Sequence, residues 1–199
     1  QLTTASNHLD LYIGIYKQFR KKWLKMYKEY LNAIDKETQN YFKENIIDNN
    51  NFPFYLNKTE IKNKINNFCF FTHIILHRPE DNLPNPINSN LYSFATNLLK
   101  KLSKKFKFKF KKIFRICLNL TVNNGEEKSD LHLDHNFEHK QLIIYIHCDD
   151  LKSYTCIKRN NKIFKIKPIP NKVAIWGKLP HYHIVPKKGF RLILVYTFI

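Results

Sequence analysis

The residues best placed to do chemistry are His132-Leu133-Asp134, joined near the C-terminus by His181 and, further along, Arg191. Side chains at i and i+2 of a strand leave from one face, so a strand over 131–134 lets His132 and Asp134 hold one ion together. The third ligand then has to come from a distant strand. Two histidines and one carboxylate leave positions open on an octahedral metal, and their mixed N/O donor set suits Fe(II) and oxygen chemistry. A strand-borne arginine close by can fork onto the carboxylate of an organic acid. His-x-Asp alone is a permissive motif. Its weight comes from order: it follows a turn, His181 opens a strand after a tight loop, and Arg191 sits on the last strand.

His183 rivals His181, because it shares the same strand face. The spacing to Arg191 and the preceding Pro180 favour His181, with His183 kept as the alternative ligand. His135 and His139 read as solvated loop residues near the site's mouth, and His147 as structural. His73 and His77 carry no functional case beyond satisfied hydrogen bonds.

The elements that must position these residues follow from periodicity. Leu9, Tyr12, Ile13, Tyr16, Phe19, Trp23, Tyr27, Tyr30, Leu31 and Ile34 recur at three- and four-residue steps, which predicts helix over much of 1–48. Pro53 stops it. An apolar run over 68–76 has strand length, and a helix is expected over 89–102 with Ser89 or Asn88 as its cap. From 105 the period changes to two: Phe106, Phe108 and Phe110 alternate with lysines, and Phe114 to Val122 keeps the parity, predicting one long strand or two in sequence. Short strands are expected over 131–134, 141–147, 153–158, 162–167, 172–176, 182–185 and 190–198, separated by Asn-, Pro- and Gly-bearing turns. Many short strands at this spacing indicate a sandwich or barrel, and eight in two sheets make a jelly roll. The resulting expectation is one α+β, mainly β domain over 1–199. Residues 1–104 form a helical support with one or two strands, packed on the outside of one sheet, and 105–199 form the β core.

Composition narrows the classes. At 199 residues the chain can bury a sizeable core, and 43% hydrophobic content argues against disorder. No apolar run approaches the roughly 18 residues that span a bilayer, and Cys69, Cys117, Cys148 and Cys156 show no paired spacing. An intracellular, cytoplasmic protein with reduced cysteines is the expectation. The net charge of +18 invites a polyanion, yet only five of the 34 basic residues are arginine, the side chain that base-reading surfaces favour. With Lys, Asn and Ile abundant, AT-rich coding explains much of that charge.

His132-x-Asp134…His181…Arg191 resembles the pattern of the Fe(II)/2-oxoglutarate-dependent dioxygenases, over roughly residues 113–199. Pro180-His181 and Pro186-x-x-Gly189-x-Arg191 look like the distal half of the prolyl-hydroxylase-like branch, and the overall texture looks most like small viral or phage members. The resemblance implies a double-stranded β-helix (jelly roll, cupin-like). It implies that His132, Asp134 and His181 hold Fe(II), that Arg191 binds the distal carboxylate of 2-oxoglutarate, and that Tyr145 hydrogen-bonds the same cosubstrate. It further implies oxidative decarboxylation of 2-oxoglutarate with O2 to succinate and CO2 while a protein side chain or small molecule is hydroxylated; a nucleic-acid substrate stays open from the charge. There are departures. Ile193 stands two residues past Arg191, where several branches place Ser or Thr; Ser153-Tyr154-Thr155 only partly echoes a Gly-Gly-x-Thr; and Thr197 replaces the second arginine of the nucleic-acid-repair branch. The competing reading is a non-catalytic, basic nucleic-acid-binding β-domain. A third is a cupin-like protein that uses another metal or has lost catalysis.

Overall fold

Antiparallel pairing sets the architecture. The computed structural model describes residues 27–57 and 69–199, and among these the strands form a seven-stranded and a three-stranded sheet. In chain order they are β1 (Tyr27–Tyr30), β2 (Tyr55–Asn57), β3 (Phe70–Leu76), β4 (Ile113–Val122), β5 (Lys140–Cys148), β6 (Thr155–Arg159), β7 (Lys162–Ile166), β8 (Val173–Gly177), β9 (His181–His183) and β10 (Phe190–Phe198). The larger sheet runs β1-β8-β5-β10-β4-β3-β2 and the smaller β7-β6-β9. Segment 127–132 extends the smaller sheet irregularly along β9, through bridges Lys128↔Ile184 and His132↔His181.

Alternation along the central strands gives the larger sheet two apolar faces. Ile116, Leu118, Leu142, Ile144, Leu192 and Leu194 face outward into the main core, which helix α2 (Tyr92–Phe106) covers with Ala95, Leu98, Leu99 and Leu102. Helix α1 (Lys36–Phe42) and the π-turn Lys43–Ile47 add Phe42 and Ile46 to the same core. Cys117, Ile143, Tyr145, Ile193 and Val195 face inward and meet Ile157 and Ile166 of the smaller sheet. This is a double-stranded β-helix with helices packed outside one sheet.

The expected helix over 1–48 needs correction. Leu9, Tyr12, Ile13, Tyr16, Phe19 and Trp23 lie outside the described residues. Tyr27–Tyr30 is an edge strand paired residue for residue with Val173–Trp176 of β8. A turn with Asn32 at φ 49° ends it, and Asp35 restarts helix by accepting from Thr38 N at 2.9 Å. Pairing with an open sheet edge outweighed the helical spacing.

The Phe106–Phe110 alternation is not a strand either. Helix α2 runs to Phe106 and ends on Lys107 at φ 54°. Phe106 stacks on Tyr30 with ring centroids 3.9 Å apart, while Phe108 and Phe110 pack on Phe198. The period of two reflects a crossing connection that places its aromatics on the core, and β4 starts only at Ile113. The expected cap holds in part: Ser89 Oγ accepts from Leu91 N at 3.2 Å, in the turn leading into α2. No helix among the described residues is long and apolar enough to cross a membrane.

Candidate metal centre

His132, Asp134 and His181 each place a potential ligand atom within 4.8 Å of the others. The local geometry differs from the expected strand over 131–134. Only His132 is paired, in a two-residue bridge in which His132 N donates to His181 O at 3.0 Å and His181 N to His132 O at 2.9 Å. That reciprocal pair fixes the two imidazoles side by side, 4.5 Å between centroids, and the chain bends at Asp134 to bring its carboxylate in.

The backbone also sets each ring's tautomer. A carbonyl can only accept, so the contacts of His132 Nδ1 to Asp130 O (2.9 Å) and of His181 Nδ1 to Leu179 O (3.1 Å) put the protons on Nδ1. Both lone pairs therefore reside on Nε2. Burial, then the neighbouring His132, lowers the His181 pKa to about 4 despite the pull of Asp134, so the ring is neutral near pH 7. Burial pushes the Asp134 carboxyl upward, but His181, Arg115, His132 and Arg78 outweigh it and hold it well below the usual carboxylate range. Arg115 Nη1 donates to Asp134 Oδ1 at 3.0 Å, whereas Oδ2 is buried without a hydrogen-bond partner. That oxygen faces His181 Nε2 at 3.6 Å. The Gln141 side-chain N–H donates to His181 Nε2 at 3.3 Å, whereas nothing donates to Asp134 Oδ2, so a buried carboxylate oxygen is left facing an acceptor nitrogen, an arrangement that a cation relieves. The donor set fits a divalent ion.

His183 is two residues, or about 7 Å of strand, beyond His181. It is paired across β6 with Thr155, whereas His181 is paired with Ile157. Its Nε2 lies 3.3 Å from Thr121 Oγ1, and burial, then Arg191, holds its pKa well below the ordinary histidine value. The structure therefore places His181, and not His183, beside Asp134.

Arg191 is 2% exposed on β10, and among the described residues no carboxylate lies within salt-bridge distance of it. Its Nη2 donates to Thr155 Oγ1 at 2.8 Å, and its Nε is buried unpaired. A buried guanidinium without a counter-ion is costly, which fits an anion received there. Tyr145 stands one layer back: its hydroxyl donates to the same Thr155 Oγ1 at 2.7 Å, the Arg191 guanidinium lies over its ring, and burial raises its pKa to about 12. A hydroxyl has two lone pairs and one proton. With both lone pairs engaged by Tyr145 and Arg191, the Thr155 O–H is left to donate into the cavity that Thr155 lines.

That cavity, about 300 Å³, lies between the sheets and contains all three candidate ligands, Thr155, His183 and Arg191. Arg78 and Arg115 also line it and were not singled out in the sequence; the scarcity of arginine was the available signal. Thr155 was visible only as a partial motif. His135 and His139 correct a further expectation: both are buried, His135 bonding Glu80 Oε1 at 2.8 Å and Thr197 Oγ1 at 2.7 Å. His147 pairs with Asp149, and His73 bonds Pro53 O and Ser89 Oγ.

No protein-family profile and no curated protein matches the sequence. Solved structures do match the fold. An oxidoreductase of the 2OG-Fe(II) oxygenase family from Burkholderia pseudomallei superposes with a TM-score of 0.68 at 13% identity, over 86% of this chain and 84% of that one. A prolyl hydroxylase from Trichoplax adhaerens, solved with a hypoxia-inducible-factor peptide fragment, gives 0.65 at 10% identity over 100% and 93%. The viral collagen prolyl hydroxylase of Paramecium bursaria Chlorella virus-1, solved with 2OG, gives 0.55 at 12% identity over 87% and 95%. This chain has the double-stranded β-helix fold of the 2OG-Fe(II) oxygenases.

Proposed function

We propose that this protein is an Fe(II)- and 2-oxoglutarate-dependent dioxygenase. It converts 2-oxoglutarate and O2 to succinate and CO2 while hydroxylating a protein side chain or a small molecule. The observation that carries the reading is the pairing of two opposite deficits in one cavity. Lone pairs converge at His132, Asp134 and His181, and an uncompensated guanidinium waits at Arg191.

His132 and His181, held by Asp130 O and Leu179 O, offer Nε2 in fixed orientation, and Asp134 adds one negative charge. Arg115 retains one Asp134 oxygen and leaves the other for the ion. Arg191 and the Thr155 hydroxyl bind the distal carboxylate of 2-oxoglutarate, with Tyr145 keeping Thr155 in place. Thr155 thereby occupies the role for which Ile193 has no hydroxyl. Ile143, Ile193 and Val195 wall the cavity with apolar surface and limit water. Bound Fe(II) with its keto-acid cosubstrate supplies the oxidising chemistry; the chain supplies geometry and charge.

The test follows succinate formed from 2-oxoglutarate with Fe(II) and O2, in wild type and in Asp134→Ala. Turnover in the wild type that vanishes in the variant supports the reading. Equal turnover in both, or a wild type that binds neither Mn(II) nor 2-oxoglutarate, refutes it.

A further inference from the structure

The chain has five arginines, and three of them, Arg78, Arg115 and Arg191, line a single cavity. They are not clustered at one point. On the larger sheet Arg191 pairs with Thr121 of β4, while Arg115 pairs with Thr197 of β10. Six residues of β4 separate the two rows, about 20 Å of strand. One guanidinium enters from the Thr155 end and the others from the Asp134 end. Arg191 is the receptor for the cosubstrate in the function proposed above and Arg115 holds Asp134, so that function leaves Arg78 without a role.

At that second end Arg115 is engaged with Asp134 Oδ1. Arg78 is not comparably engaged. Its hydrogen bond among the described residues runs from Nη1 to the Asp134 carbonyl at 3.4 Å, long for a group with five donors. Arg78 and Arg115 both reach Asp134, so two guanidiniums share one carboxylate-bearing residue, and Arg115 holds the carboxylate itself. Asp81 is hydrogen-bonded to His77 Nδ1 at 3.0 Å.

Charge counting points the same way. Three arginines and two aspartates line the cavity, leaving one positive charge among those five side chains. A divalent ion and dianionic 2-oxoglutarate cancel each other, so the loaded site keeps that charge. A single anionic group is what neutralises it. The guanidinium fork matches the planar geometry of a carboxylate. A cavity of about 300 Å³, shared with the cosubstrate, has room for a group the size of one side chain. Asn57, Thr72 and Ile74 on β2 and β3 also line the cavity, alongside the stretch of β4 between the two arginine rows. We infer that the primary substrate presents a carboxylate, from a small acid or an acidic side chain, and that Arg78 receives it at the Asp134 end of the cavity.

The inference rests on the function proposed above, and its test separates the two. In metal-free protein, the Arg78 side-chain N–H resonance is assigned by its loss in Arg78→Gln and followed during titration with acetate, with neutral acetamide as control. A saturable shift with acetate alone is expected; no shift, or an equal shift with acetamide, overturns the inference. With Mn(II) and saturating 2-oxoglutarate present, the relaxation of ¹³C-acetate by Mn(II) is then measured. It should fall at least fivefold in Arg78→Gln and less in Arg78→Lys, which keeps the charge without the fork. Equal relaxation in wild type and Arg78→Gln overturns it, and stronger binding of dimethyl phosphate than of acetate would reassign the site to a nucleic-acid backbone. Failure of Mn(II) to bind refutes the metal reading itself, whereas acetate silent at Arg78 in the metal-free protein refutes this inference alone.

Discussion

His181 and His183 share a strand face, yet their neighbours differ enough to predict opposite behaviour. His181 looks at the orphaned Asp134 Oδ2, and His183 at Thr121. His181→Ala should weaken Mn(II) binding at least 100-fold by calorimetric titration, while His183→Ala should leave it within tenfold; the reverse order would exchange their roles. In the proposed function the Thr155 hydroxyl donates to the cosubstrate carboxylate, an interaction of roughly 1.5–3 kcal/mol, so Thr155→Val should lower 2-oxoglutarate affinity about 10- to 100-fold with metal affinity unchanged. Tyr145→Phe removes a hydroxyl that holds Thr155 from behind and should cost less than Thr155→Val in the same titration. The candidate site was legible in the sequence to the extent that it is built from rare residue types at informative spacing: His132, Asp134, His181 and Arg191 do line one cavity. Thr155 was not, because one hydroxyl among many gains its role only from Tyr145 and Arg191 arriving on both lone pairs. Nor was the burial of His135, which depends on Glu80 and Thr197 from distant parts of the chain.

Among the elements, strands with turn chemistry at both ends were readable, and those whose partners decide their state were not. Strands β5 to β8 and β10 match their alternation and their Asn- and Pro-bearing turns. Gly189 illustrates the turn rule: its φ is +58°, and a Cβ there would collide with Asp149, whose Oδ2 accepts from Phe190 N at 2.9 Å. Strand β1 was hidden by a helical spacing, since its state is set by the open edge of β8. The end of α2 gives a direct check on the misread aromatic alternation. Lys107 there is left-handed, a conformation that costs a non-glycine residue roughly 1–2 kcal/mol, so Lys107→Gly should stabilise the protein by about 1 kcal/mol in urea unfolding. Were 105–111 a strand, glycine would destabilise it. In the same helix Leu99 is fully buried, and Leu99→Ala should cost roughly 2–5 kcal/mol while leaving Mn(II) affinity unchanged.

For the molecule as a whole, the buried histidines tie stability to pH. The His181 pKa of about 4 lies below the roughly 6.5 of an unfolded histidine, so the unfolded chain takes up the proton first as pH falls. Its effect is absent above about pH 6.5 and grows to a loss on the order of 3 kcal/mol near pH 4; His183 shifts in the same direction. Asp134, with its pKa depressed, keeps its stabilising effect constant across that window. Urea unfolding of metal-free protein at pH 7, 5.5 and 4.5 should show this decline, with a shallower slope in His181→Gln. The net charge of +18 was plain from composition, but its distribution was not: three of the five arginines line one cavity between the sheets. If one ion and one dicarboxylic acid share the cavity, titration of 2-oxoglutarate into the protein with and without Mn(II) will register both. Binding should tighten strongly with Mn(II), lose its metal dependence in Asp134→Ala, and weaken in Arg191→Met while Mn(II) affinity persists. Binding indifferent to Mn(II), or unchanged in Arg191→Met, would contradict it.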